Sequence, residues 1–90
     1  MAQAHVDPAE LRRFARDLTR FRDELQTLLS GLHGSLRNLE KSWRDQEQRK
    51  FAEEFADTTK TLGRFLESAE RHVQLLHKRA AHIEEYLQQR

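Results

Sequence analysis

Ninety residues suffice for one small domain and no second, and a chain this short buries little apolar surface by itself. Charged residues make up 34% of it, beside three glycines, one proline and no cysteine, which excludes disulfides and thiol chemistry and leaves little room for tightly turned strands. Its 16 basic and 15 acidic residues interleave to a net charge of +1, so the one-sided basic stripe that nucleic acid requires is missing. The start, Met1-Ala-Gln-Ala-His-Val6, lacks the apolar run of a cleavable leader, and no stretch is apolar enough to span a bilayer. The expected product is a soluble chain made in the cytoplasm, exported, if at all, on some other signal.

The first element begins at Asp7-Pro-Ala-Glu10, which offers a capping aspartate, proline at the first helical position and glutamate three residues after the cap. Val6 and Leu11 are spaced as a hydrophobic staple. From there Leu11, Phe14, Leu18, Phe21, Leu25, Leu28, Leu32, Leu36, Leu39 and Trp43 recur at steps of three or four, which predicts a helix over about 8–43. Gly31 and Gly34 each cost such a helix about 1 kcal/mol relative to alanine. They read either as tolerated glycines with a local kink or as a waist where a second hairpin crosses closely.

A turn is expected at about 44–46, because Arg44 to Lys50 supply no apolar residue to the seam. A single unbroken helix is the rival reading, since neither glycine nor proline stands there. Asp45 and Gln48 have the spacing of a second capping box. The pattern then resumes through Phe51, Phe55, Thr58, Leu62, Phe65, Ala69, Val73, Leu76, Ala80, Ile83 and Leu87, predicting a second helix over about 47–88. Folding at Asp45 sets Leu39 opposite Phe51, Leu36 opposite Phe55, Leu28 opposite Leu62, Leu25 opposite Phe65 and Phe14 opposite Leu76. The expected fold is an all-α antiparallel hairpin forming one domain.

Ala15, Leu29, Leu66 and Leu75 widen the apolar stripe beyond what two helices can cover. An uncovered stripe of that size marks an interface, so two hairpins are expected to pair into an elongated four-helix bundle. Phe14, Leu18, Phe21, Leu25, Leu28, Leu32, Leu36, Phe55, Leu62, Phe65, Leu66, Val73 and Leu76 are its candidate seam.

Other constellations carry less. His72, His77 and His82 are five residues apart and do not share a helix face, and His5 and His33 have no ligand partners in the pattern, so no metal is expected. The carboxylates Glu53, Glu54, Asp57, Glu84 and Glu85 have no concave site to tune them, and no serine carries a nucleophile motif. Arg13–Asp17 and Arg20–Glu24 read as surface pairs. Arg12, Arg13, Arg16, Arg20 and Arg22 read as a solvated face or dimer rim, and as the arm to test should the chain meet an anionic membrane.

Trp43 either closes the core at the turn or offers, with the turn, a surface to a partner. Here the residues carry a resemblance. Leu39-Glu-Lys-Ser-Trp43, the turn Trp43-Arg-Asp45, and Phe51 with Phe55 at the start of the second arm resemble the WXG-hundred family, the ESAT-six-like small proteins of type VII secretion. Asp45 stands where that family has its turn glycine, and aspartate both caps helices and tolerates turns. The family's C-terminal Tyr-x-x-x-Asp/Glu export signal is met by Tyr86-Leu-Gln-Gln-Arg90, with arginine in the acidic place. The resemblance implies a non-enzymatic secreted substrate or co-secreted adaptor without cofactor. It would pair with itself or a related hairpin, and the secretion ATPase would read its tail. A cytosolic hairpin chaperone or a needle-type subunit of another secretion apparatus is the alternative.

Overall fold

Asp7 starts the first helix with extended backbone (φ −75°, ψ 119°), its carboxylate accepting the Ala9 N–H at 2.9 Å and Pro8 taking the first helical place. This is seen in a computed structural model that describes residues 6–89; readings that rest on Met1 to His5 or on Arg90 lie outside it. The Glu10 carboxylate does not complete a capping box but pairs with Arg13 at 2.9 Å, in place of the Asp17 partner the spacing suggested for Arg13. The resulting helix, α1, spans Pro8–Leu39.

α1 stops short of Trp43, where the periodicity carried it, and the reason is local. After Glu40 the hydrogen bonds tighten, Lys41 N–H reaching the Asn38 carbonyl at 3.2 Å and Ser42 N–H the Leu39 carbonyl at 3.1 Å. The Ser42 hydroxyl donates to that Leu39 carbonyl at 3.3 Å, and Arg44 Nε donates to the Glu40 carbonyl at 3.3 Å. Side chains thus satisfy carbonyls that another helical turn would have used.

The second helix, α2, spans Gln46–Gln88 and is capped by Asp45, whose carboxylate accepts the Gln48 N–H at 2.9 Å. Asp45 has extended backbone (φ −90°, ψ −173°), and no described residue has positive φ. Glycine is therefore not needed in this turn, and aspartate contributes a cap that glycine lacks. Gly31 and Gly34 lie within uninterrupted α1, and a Cβ at either would meet nothing within 4 Å.

The two helices run antiparallel in a rod whose Cα trace measures 68 × 24 × 16 Å. Its radius of gyration is 20.2 Å, against about 12 Å for a compact domain of this length. The line of closest contact is built from small residues, with Ala15, Ala69, Val73 and Ala80 buried and no large side chain fully buried among the described residues. Ala15, assigned by the pattern to the margin of the stripe, lies at its centre. Phe65 packs edge-on against Phe21 (ring centroids 6.1 Å apart), one turn from the Leu25 expected opposite it.

Candidate interaction surface

Because residues advance about 100° each around a helix, an apolar arc wider than one neighbour's footprint leaves a flank uncovered. In α1 that flank is Phe14, Phe21, Leu28, Leu32 and Leu39, which remain 58, 53, 70, 51 and 46% exposed. In α2 Phe51 and Phe65 (40 and 42%) lie on the matching side, as the Phe21–Phe65 contact shows. Between the two flanks Leu18, Leu25, Leu36, Phe55, Leu62 and Leu76 are half-buried. One broad side of the hairpin is thus an apolar valley with aromatic and leucine walls.

The other side is closed by polar links. Arg12 forks onto Glu84, with Nε donating to Oε2 at 3.1 Å and Nη2 to Oε1 at 2.7 Å, and its Nη1 lies 3.1 Å from His77 Nδ1. Arg22 Nη2 reaches Glu70 at 3.6 Å, and Gln48 Nε2 donates to Glu40 at 2.6 Å across the turn. The hydrogen bond from Arg12 holds the Glu84 carboxyl below its usual range, against a smaller opposing effect of lost solvent, and the same bond raises the Arg12 guanidinium. Leu66 lines this polar side beside Arg22 and Gly63, away from the valley in which the pattern placed it, whereas Val73 is buried between the helices. Arg12 and Arg22 are drawn into these links, so the five arginines of α1 do not form one basic face. Such cross-helix pairs between residues distant in sequence leave no periodic trace, and only the unusual placing of arginines on the inward arc signals them.

At the turn, the Trp43 ring packs on Phe51 (centroids 5.8 Å, planes 38°), Phe51 stacks on Phe55 (5.7 Å, 16°), and His33 meets Phe55 edge-on (5.9 Å, 75°). The indole thus folds over the start of the second arm. Beside this ladder Leu32, Ser35, Leu36, Leu39, Phe51 and Phe55 line an apolar groove of about 170 Å³ that continues the valley. Trp43 is itself half-buried, so it both closes the turn and shows an edge to solvent. At the opposite end Tyr86 is 69% exposed. It borders a shallow depression with Arg79, His82 and Ile83, remote from Trp43.

An apolar valley backed by a charge-linked side makes this an all-α helical hairpin with one uncovered apolar face. The chain belongs to the WXG100 family, described as proteins of 100 residues with WXG, whose model matches residues 3–86. It is similar to EsxB, a secreted protein from Bacillus anthracis str. Sterne, at 26% identity, with a TM-score of 0.82 covering 96% of this chain and 98% of that one. A mutant form of EsxB superposes equally, at 26% identity and a TM-score of 0.81, covering 93% and 97%. No curated protein sequence matches the chain. Among the described residues no helix is long and apolar enough to cross a membrane.

Proposed function

We propose that the chain is a non-enzymatic substrate or co-exported adaptor of a type VII secretion system, working as a homodimer of hairpins joined through the apolar valley. The observation that carries this reading is the exposure of Phe14, Phe21, Leu28, Leu32 and Phe65 on one side of a hairpin whose own buried centre is mostly alanine. A second copy presents the same surface, so a two-fold pairing buries all of these residues at once. Family membership and the likeness to a secreted protein support the export half of the reading. Exposed Tyr86 is the candidate recognition residue for the secretion ATPase, and Trp43 with Asp45 the turn that sits at the far end.

The test is export from a host with an intact type VII system, compared with a Tyr86→Ala variant and with the same host lacking its secretion ATPase. Export that needs the ATPase and drops with Tyr86→Ala supports the reading. Export unaffected by loss of the ATPase overturns it, and export unaffected by Tyr86→Ala removes the tail from it.

A further inference from the structure

The link at the open end of the hairpin has a chemical requirement that its other polar links lack. A guanidinium only donates hydrogen bonds, so the His77 nitrogen 3.1 Å from Arg12 Nη1 must offer a lone pair. That demands a neutral imidazole with its proton on the other nitrogen. A protonated His77 has no acceptor, and it places a positive charge against Arg12.

The geometry makes this consequential for Glu84. One planar guanidinium serves both partners, Nη1 toward His77 and Nε with Nη2 toward Glu84 at 3.1 and 2.7 Å. It cannot back away from His77 without disturbing the fork on Glu84. The charge facing His77 from α1 is Arg12, with exposed Arg16 one turn further along that helix. On α2 itself the acids along that side are Glu84 and Glu70, the first engaged by Arg12 and the second by Arg22. Neither is free to compensate an imidazolium.

What the link holds is the end of α2. Among the described residues Ala80 is the last that is buried, and every side-chain hydrogen bond tying α2 beyond Ala80 to α1 comes from Arg12. The link lies on the side opposite the valley, so pairing through the valley leaves it in solvent.

We propose that Arg12, His77 and Glu84 form a pH-responsive clasp, closed while His77 is neutral and opened when His77 is protonated, which frees the last two turns of α2, with Tyr86, from α1.

Residue-resolved amide hydrogen exchange on the full chain tests this, with rates expressed as protection factors so that the intrinsic pH dependence cancels. Between pH 7.5 and pH 5 the protection of amides 81–88 is expected to fall about five- to tenfold, as for one or two lost hydrogen bonds, while that around Val73 holds. His77→Gln keeps an acceptor oxygen, does not titrate and is a better helix former than histidine, and should abolish the fall. Arg12→Gln should show the low protection at both pH values. An undiminished wild type at pH 5, the same fall in the His77 variant, or wild-type protection in Arg12→Gln at pH 7.5 each overturns the clasp.

Discussion

Leu28 separates the stability of the hairpin from the stability of a pair of hairpins. It is 70% exposed, more than any other large apolar residue described, so the hairpin itself draws little from it. Full burial of a leucine is worth about 2 kcal/mol, and truncation to alanine at a site left mostly open by the hairpin forfeits about 1.5 kcal/mol of that on pairing. A two-fold pair contains the site twice, so Leu28→Ala should weaken dimerisation by about 3 kcal/mol, roughly a hundredfold in Kd. Sedimentation equilibrium across a concentration series measures this, with far-UV circular dichroism checking that helicity persists. Leu75→Ala is the matched control, since Leu75 is 62% exposed and helix geometry sets it about 80° round α2 from Phe65, off the wall of the valley. Equal weakening by both substitutions, or a Leu28→Ala dimer within threefold of wild type, would refute the assignment of the valley as the contact surface.

Three further outcomes follow from the turn and the clasp. Asp45→Ala should cost about 1 kcal/mol in chemical denaturation through loss of the α2 cap, and Asp45→Gly only a few tenths of that unit. The ordering of these two variants is the informative part, because a turn that required left-handed backbone would favour glycine over aspartate outright. Trp43→Ala should lower stability by about 2 kcal/mol, less than a fully buried tryptophan would, and Trp43→Phe by less again, since the packing on Phe51 is partly kept. For Glu84, whose carboxyl titrates below its usual range, ion pairing stabilises the fold above the unfolded value of about 4.3 and is lost as pH falls through the lower folded value. Thermal melts of wild type and Glu84→Gln should therefore differ most above about pH 7.5, where the clasp is closed, and converge in solution more acid than about pH 4.

Both helices and both caps were legible in the chain, because capping residues and a period near 3.6 are local signals. The division of the apolar arc was not. Periodicity reports that Phe14 and Ala15 both lie on or near a stripe, but only the approach of α2 decides that alanine lies at the contact and phenylalanine beside it. Residue size was the overlooked cue: alanine and valine at the contact let the helices close together, which leaves the larger side chains outside. The end of α1 at Leu39 was missed because Leu39 and Trp43 keep helical spacing across a turn in which Ser42 and Arg44 take over the carbonyls. Arg12 reaching Glu84 is a contact between chain ends that no local pattern announces.

The rod's proportions set the size of any passage it can enter. Travelling lengthwise, its backbone presents a cross-section of only 24 × 16 Å, so a conduit little wider than a helix pair admits it without unfolding. Stacking a second hairpin on the valley thickens the short dimension and leaves the width nearly unchanged, giving a more nearly square profile. A folded pair and a folded single chain therefore differ in calibre along one axis alone, and a channel that passes one and stops the other would be discriminating on that axis.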